Sequence, residues 1–425
     1  MTGRNPRDGA DDGPREDGAP MLRELVAESH LMSMEQLPGA AARHAAGVGL
    51  HDVVIYVADL QQNVLRLLTG RGPDAGGEPG AESPELKIEG TIAGRAYQTM
   101  APVVGQVFDD GTCQYWLPIL DGTERLGTVR VTIGRDDRRC RDDAEYLAGM
   151  IALIMVSKGP YSDSFSRLVR TREMTVSAEM QWRLLPPLTF ANDQVVISAA
   201  LEPAYNLGGD TFDYALAGDT AHFGVFDAMG HDTAAGLTSS LAVAAFRNHR
   251  LRGTDLIGVG RGIEEVLAEQ DSSGRFVTAV LAELDLRSGV LSWAAYGHPP
   301  PVIIRKGRWV TTLECRPGTP LGTGLGIVPK VCTEQLEPGD RILLYTDGIV
   351  EARDPGKREF GLHRFVDFII KREADGLPAP ETLRRLIHSI LAHHAGRLDD
   401  DATVLLLEWH GWSGRKAALD AIRQT

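Results

Sequence analysis

The chain of 425 residues has no apolar run of the roughly 20 residues that a membrane-spanning helix needs. Its best candidate, AGMIALIMV at 148–156, is about half that length and predicts a buried helix. Positive charge is also in short supply, since 44 Lys and Arg stand against 58 Asp and Glu, for a formal net charge of −14. This balance argues against a protein that binds nucleic acid through its phosphates and against a polybasic membrane anchor.

Cysteine is scarce and scattered. Cys113, Cys140, Cys315 and Cys332 form no CxxC pair and no zinc spacing, which predicts reduced, structural cysteines. The N-terminus lacks a basic stretch followed by an apolar one, so we expect a cytoplasmic protein without a secretory signal. Apolar residues (43%), 47 glycines and 23 prolines are sufficient for packed cores with many turns. At about 150 residues per domain, the length allows two to three domains.

The first part of the chain predicts a disordered head at 1–22, because these residues have little to bury. Beyond it, a polar glycine-rich stretch at 70–84 predicts a loop. The remaining pattern predicts strands at 52–58, 115–120 and 126–133 and helices at 91–99 and 142–157. The phrases IEGTIAGRAYQT, YWLPI and RLGTVRVTI resemble a GAF domain, which implies a small sensory α/β domain over 23–158. A ligand sensor and a structural or dimerising module are both compatible with this resemblance.

Apolar residues between 160 and 185 recur with a helical period, and Pro186 and Pro187 end the pattern. We therefore predict a connecting helix within 159–188. The pattern fits a helix that pairs with a second chain, which would make a homodimer, and equally a helix packed on its own domain.

Aspartates follow or precede short apolar strands in the second half of the chain, at Asp210, Asp227, Asp347 and 399–401. A single aspartate at a strand end usually forms a cap or a turn. Several converging carboxylates would raise one another's pKa unless a cation neutralised them. Oxygen ligands favour Mg²⁺ or Mn²⁺ over zinc, and two such ions can activate a bridging water and direct it at phosphorus.

Five phrases occur here in a fixed order: LEPAYNLGGDTFDY, FGVFDAMGHDTAAGL, FVTAVLAELDLRSGVLSWAAYGHPPPVII, LEPGDRILLYTDGIVEARD and RLDDDATVLLL. Together they resemble the SpoIIE/RsbU-type PPM phosphatases, which are metal-dependent protein serine/threonine phosphatases of bacteria. The resemblance implies a phosphatase domain at 189–411, followed by a tail at 412–425. It implies a four-layer α-β-β-α sandwich with two Mn²⁺ or Mg²⁺ ions at one end, so the whole chain is expected to be of the α+β class.

The resemblance also implies which residues serve this centre. The implied metal ligands, which are catalytic through metal-bound water, are Asp210, Asp227, Asp347 and Asp400, with the backbone carbonyl of Ala228 as a further ligand. Asp227 is the implied bridge between the two ions. Asp401 is implied to support the ligands, and Asp399 is an extra acidic neighbour.

Some positions depart from the family pattern or carry weaker expectations. Asp232 stands where many relatives have glycine, and we expect it to cap the helix that begins at 233. Met229 stands where the wider family has a histidine general acid, so His231 is open between acid catalysis and a structural hydrogen bond. We expect His298 to fix a turn near the active end and Thr278 to pack in the core.

The resemblance implies that the GAF-like domain controls the phosphatase through the connecting helix. In relatives the substrate is often a STAS-type anti-anti-sigma factor, so the implied partner is a phosphorylated regulatory protein, without nucleic acid or membrane. Two alternatives stay open: a catalytically inactive PPM-like scaffold or binding module in a signalling pathway, and a two-metal phosphoesterase acting on a small molecule or nucleotide.

Overall fold

The structure, a computed structural model, describes residues 19–69, 85–134, 138–206, 208–230, 232–270, 274–394, 398 and 400–411. The chain divides into two compact units, the first mainly up to Val169 and the second mainly from Arg170 onward. Positions 1–18 of the predicted head, the predicted loop and the tail lie outside the described residues, whereas 19–22 already belong to a helix.

The first unit is built on one sheet, with strand order β3-β2-β1-β6-β5-β4 in the described residues. Its strands are β1 (Leu50–Ala58), β2 (Val64–Leu67), β3 (Glu85–Lys87), β4 (Val103–Val107), β5 (Cys113–Asp121) and β6 (Glu124–Ile133). Its helices are α1 (Ala19–Ser29), α2 (Leu37–Ala46), α3 (Ile92–Thr99), α4 (Arg138–Lys158) and α5 (Asp163–Leu168). The predicted strands and helices correspond to β1, β5, β6, α3 and α4.

Helices cover both faces of the sheet at β1, which explains the apolar run VVIYVA at the end of this strand. Ile55 and Val57 of β1 pack with α1, α2 and α4 on one face. Tyr56 and Ala58, which point the other way, pack with α3. Helix α3 begins where predicted because the Thr91 hydroxyl accepts a hydrogen bond from the Gly94 backbone N–H.

The predicted connecting helix over 159–188 is wrong as a continuous helix. The segment forms a 3₁₀ turn (Gly159–Tyr161), helix α5 and a separate helix α6 (Val176–Leu184). Thr175 caps α6 by accepting a hydrogen bond from the Ala178 N–H, so a new helix begins there. The apolar period does not mark packed positions in α6, because Val176 is 70% exposed and Met180 is 39% exposed.

The second unit contains two sheets, with strand orders β15-β12-β11-β10-β9 and β14-β13-β16-β17-β8-β7 in the described residues. Its strands are β7 (Thr189–Ala191), β8 (Val195–Glu202), β9 (Asp210–Ala217), β10 (Thr220–Ala228), β11 (Val277–Asp285), β12 (Val290–Tyr296), β13 (Val302–Arg305), β14 (Arg308–Thr312), β15 (Cys332–Gln335), β16 (Asp340–Tyr345) and β17 (Ala402–Trp409). Besides α6, its helices are α7 (Thr233–Leu251), α8 (Leu256–Gln270), α9 (Asp347–Val350), α10 (Leu362–Ala374) and α11 (Ala379–His393).

Three apolar clusters arrange this unit in four layers. Alternate residues of both sheets, among them Phe212, Val225 and Leu405, form the core between the sheets. The opposite side chains of the β9–β12 sheet pack with α7 and α8. Those of the second sheet pack with α10 and α11. The layers therefore run helix, sheet, sheet, helix, as the sequence resemblance implied.

The expectation that all four cysteines are reduced is wrong for one pair. Cys315 and Cys332 form a disulfide with their Cα atoms 6.1 Å apart, whereas Cys113 and Cys140 keep their thiols. Cys332 begins the edge strand β15, and the Lys330 N–H bonds the Arg316 carbonyl, which brings the two segments side by side. A separation of 17 residues does not reveal this approach in the sequence.

Within the described residues, no helix has the length and apolar character needed to cross a membrane.

Candidate metal centre

Three polar residues stand side by side at one end of the β9–β12 sheet. Asp227 of β10 pairs in register with Asp210 on one neighbouring strand and with Thr278 on the other. Side chains two positions further along, such as Phe212 and Val225, lie in the core between the sheets. Because side chains alternate along a strand, the three polar residues face the second sheet.

The second sheet brings its own polar groups to the same end. The Thr346 hydroxyl, which follows β16, donates a 2.6 Å hydrogen bond to Asp210 Oδ2. The Thr346 oxygen in turn accepts a 2.9 Å hydrogen bond from the Thr403 backbone N–H on β17. Asp347 comes next in the chain and begins the short helix α9. Residues from both sheets therefore meet at this end of the sandwich.

Asp401 holds the turn that leads into β9. Its Oδ2 atom accepts hydrogen bonds from the backbone N–H groups of Gly208 (2.9 Å), Gly209 (2.7 Å) and Asp210 (3.4 Å). The neighbouring Asp400 is exposed and accepts a 2.9 Å hydrogen bond from the Asp401 N–H. The Asp401 carboxylate is therefore hydrogen-bonded to the backbone of the turn, while Asp400 is exposed at the edge of this end of the sandwich.

Two glycines permit the close packing of these turns. A Cβ atom at Gly209 would lie 2.1 Å from the Ala228 carbonyl oxygen, and one at Gly348 would lie 1.9 Å from the Asp401 carbonyl oxygen. Both distances are far below van der Waals contact, so any other residue would push the turns apart. The Ala228 N–H also bonds the Gly209 carbonyl at 3.1 Å, which ties the end of β10 to the first turn.

The carboxylates of this end raise one another's pKa. Burial and the charges of Asp347, Asp400 and Asp401 raise the pKa of Asp227 to about 7. Burial, followed by the charges of Asp227 and Asp401, raises the pKa of Asp210 well above its usual value. Burial also raises the pKa of Asp401 to about 6. Burial and the charge of Asp400 raise the pKa of Asp347. The four implied aspartate ligands are therefore close enough to interact electrostatically.

This donor set fits Mn²⁺ or Mg²⁺. All of its charged groups are carboxylates, the hard oxygen ligands that these ions prefer. A cation would relieve the repulsion that raises the pKa of Asp227. Among the described residues, no three His, Cys, Asp or Glu side chains are already arranged as an ion-binding group. A bound cation would draw these carboxylates closer together, because it offsets their repulsion.

The remaining sequence expectations have mixed outcomes. Asp232 caps α7 as predicted, because its side chain accepts a 2.8 Å hydrogen bond from the Ala235 N–H, and it also pairs with Arg275. Met229 is about half exposed, and its N–H bonds the Phe276 carbonyl. His231 and Asp399 lie outside the described residues.

Sequence reasoning missed several polar residues that hold this site. Gln181 of α6 is buried and donates to the carbonyls of Gly208 (2.8 Å) and Asp210 (3.3 Å), on the turn that carries the first aspartate. Gln181 lies outside the five family phrases, so the sequence did not indicate it. Thr346 is the first residue of TDG in the fourth phrase and could have been predicted. The expectation that Thr278 only packs in the core is wrong, because its hydroxyl lies 2.8 Å from His298 Nδ1.

Comparison with known proteins points to one family for this unit. Residues 217–410 match the family model of stage II sporulation protein E (SpoIIE). Phosphoserine phosphatase RsbU of Bacillus subtilis is 24% identical over 237 residues, which are 55% of this chain and 69% of the relative. Protein IcfG of Synechocystis is 23% identical over 273 residues, 56% of this chain and 41% of that protein. A crystal structure of the RsbU and RsbW domains of a Mycobacterium tuberculosis protein is 25% identical, with a TM-score of 0.44, and the match covers 53% of this chain and 62% of that one.

Proposed function

We propose, from the premise that the C-terminal part of the chain is a SpoIIE-type PPM phosphatase domain, that the protein hydrolyses phosphoserine or phosphothreonine on a regulatory protein. The observation that carries the proposal is the group of mutually perturbing carboxylates between the two sheets. Their pKa values are raised by burial and by one another's charge, which is the arrangement that a bound cation would stabilise.

In the proposed centre, Asp210, Asp227, Asp347 and Asp400 and the Ala228 carbonyl hold two Mn²⁺ or Mg²⁺ ions. When bound, such ions lower the pKa of water and neutralise the charge of a phosphoryl group. The chain's own residues supply the geometry. Thr346 holds Asp210 through a 2.6 Å hydrogen bond, and Asp401 fixes the turn before β9 through three backbone N–H groups. These contacts fix Asp210 and the turn that carries it, so this ligand is positioned before a cation binds.

The activity is tested with the full chain, Mn²⁺ and two substrates, a chromogenic phosphate ester and a phosphoserine-containing protein. We expect phosphate release that is abolished by Asp347→Asn, with a circular dichroism spectrum like that of the wild type. If the wild type binds Mn²⁺ but hydrolyses neither substrate, the chain is the catalytically inactive scaffold. Hydrolysis of the ester but not of the phosphoprotein would identify a small-molecule phosphoesterase.

The proposed substrate is a STAS-type anti-anti-sigma factor. Its support is the resemblance of the sequence motifs to the RsbU-type phosphatases, together with the similarity to phosphoserine phosphatase RsbU. The test is to capture the phosphorylated partner with the Asp347→Asn protein, which should bind substrate without turning it over. Recovery of a phosphorylated STAS-domain protein is the expected result, whereas recovery of an unrelated phosphoprotein would replace this substrate.

The first unit is proposed to be a GAF-like sensor that controls the phosphatase, and α6 is a route for that control. Its support is the position of Gln181 on α6, the first helix of the phosphatase unit along the chain, where it contacts the turn carrying Asp210. Removal of residues 1–158 should change the regulation of activity and leave a folded phosphatase. A folded fragment without any activity would contradict a separable sensor. A homodimer formed through 159–188 would appear as a doubled mass that this truncation leaves intact.

A further inference from the structure

A short chain of hydrogen bonds joins the two sheets behind the carboxylates. The Thr278 hydroxyl of β11 lies 2.8 Å from His298 Nδ1, and His298 Nε2 lies 3.0 Å from the Tyr345 carbonyl oxygen. Thr278 belongs to the first sheet, and Tyr345 is the last residue of β16 in the second. His298 is 7% exposed and its bond to the Tyr345 carbonyl is buried, whereas its bond to Thr278 is partly buried.

The direction of each hydrogen bond follows from its acceptors. A carbonyl oxygen can only accept, so His298 Nε2 carries the hydrogen and donates to Tyr345. Burial lowers the pKa of His298 to about 4, so the imidazole is neutral at neutral pH and Nδ1 is an acceptor. Thr278 therefore donates its hydroxyl hydrogen to Nδ1. This single arrangement satisfies all three groups and fixes the ring.

Both ends of this chain adjoin implied metal ligands. Thr278 is the register partner of Asp227 on the neighbouring strand. Tyr345 lies two residues before Asp347, at the end of the strand that delivers it. The two aspartates come from different sheets, so their separation depends on how the sheets are held together at this end.

We propose that Thr278 and His298 are positioning residues that clamp the two sheets and set the separation of Asp227 and Asp347 for metal binding. This inference rests on the proposed metal centre and adds residues to it. The clamp contains no charge, so it fixes the ligands without competing with a cation. Groups that orient metal ligands typically change metal affinity 10- to 100-fold when removed.

The test measures Mn²⁺ binding by the full chain through the electron paramagnetic resonance signal of the free ion, which needs no turnover. Thr278→Val removes the hydroxyl and keeps the shape, and Thr278→Ser is the matched control that keeps the hydroxyl. We expect the Mn²⁺ dissociation constant to rise about 10-fold or more in Thr278→Val and to stay within about twofold of the wild type in Thr278→Ser. Thermal unfolding in EDTA shows whether the metal-free proteins remain folded.

A purely structural role would lower the unfolding temperature of the metal-free Thr278→Val protein and leave the Mn²⁺ dissociation constant unchanged, which would overturn the proposal. Equal weakening in Thr278→Ser would also overturn it. Should Thr278→Val fail to fold, His298→Asn provides the same test, because its amide can accept from Thr278 but is too short to reach Tyr345. Wild-type affinity in His298→Asn would exclude the clamp.

The failure of this inference differs from the failure of the proposed function. If the wild type binds Mn²⁺, Asp227→Asn does not, and Thr278→Val does, only the clamp is wrong. If the wild type binds no Mn²⁺, the metal centre itself is wrong and the clamp has no ligands to position.

Discussion

Two buried aspartates of β9 stand three residues apart and have opposite surroundings. Asp213 faces α7, where its carboxylate accepts hydrogen bonds from Arg247 (2.6 Å) and Arg250 (2.9 Å). Asp210 faces the second sheet, where it receives a hydrogen bond from the Thr346 hydroxyl and lies near other carboxylates. An odd separation along a strand places the two side chains on opposite faces.

The same contrast recurs along β16. At its start, Asp340 is buried and accepts a 2.6 Å hydrogen bond from Arg305. Just beyond its end, Asp347 lies among carboxylates that raise its pKa. A buried carboxylate is costly unless it is paired. The chain pairs the structural aspartates with arginine and surrounds the candidate ligands with hydroxyl groups and further acids, which is what a site reserved for cations requires.

The largest predicted effect on activity comes from replacing Asp227, one of the candidate metal ligands. Asp227→Asn should lower Mn²⁺-dependent phosphate release by about 1000-fold or more, equivalent to about 4 kcal/mol of transition-state stabilisation. The metal-free mutant should be at least as stable as the wild type, because a repelling charge is lost. The control is Asp219→Asn, which changes an aspartate in a surface pair with Arg287. Equal activity of the two mutants would contradict the assignment of Asp227.

Replacing an aspartate that is paired with arginine should lower stability and leave activity unchanged, which is the reverse of the effect expected for Asp227→Asn. Asp213→Asn leaves Arg247 and Arg250 without their carboxylate and should lower the free energy of unfolding by about 3 kcal/mol. Urea unfolding of the metal-free protein measures this loss, again against Asp219→Asn. The activity per folded molecule should stay close to that of the wild type. A stable but inactive Asp213→Asn protein would contradict the assignment of Asp213 to stability and of Asp210 to the metal centre.

The pH dependence of stability should reveal the raised pKa of Asp227. Burial and neighbouring charges raise the pKa of Asp227 to about 7, above its unfolded value, so the folded state holds a proton that the unfolded state releases. Its stabilising contribution is present at low pH and is lost as the pH rises through about 7. Relative to Asp227→Asn, the metal-free wild type should therefore lose stability between about pH 4 and pH 7. Saturating Mn²⁺ should abolish this loss in the wild type, because a bound cation keeps Asp227 deprotonated. Parallel profiles of the two proteins in EDTA would contradict the prediction.

The smallest effect is expected at the uncharged support of Asp210. Thr346→Val removes one hydrogen bond, worth about 1 kcal/mol, so the Mn²⁺ dissociation constant should rise by about fivefold. Thr346→Ser keeps the hydroxyl and should bind like the wild type. An unchanged affinity in Thr346→Val would show that the 2.6 Å bond to Asp210 does not prepare the site.

The sequence supported much of the fold because its information is local or lies in ordered motifs. The apolar runs and the Thr91 cap specify β1 and α3, and the strand-end aspartates mark the acidic end of the sandwich. The supports of the site depend on approaches between distant segments. Gln181 reaches the turn before Asp210 from another helix, and Thr278 meets His298 across 20 residues. The break at Thr175 was missed because apolar period does not record where a helix is interrupted.

We assign the binding of two divalent cations to Asp210, Asp227, Asp347 and Asp400, at one end of the two sheets of the second unit. The most direct measurement is the number of Mn²⁺ ions bound per full-length chain, for the wild type and Asp227→Asn, with phosphate release from a phosphoserine protein followed in the same titration. We expect two ions per wild-type chain, activity that appears as both are bound, and loss of both binding and activity in the mutant. Absence of Mn²⁺ binding by the wild type, or the same binding by Asp227→Asn, would contradict it.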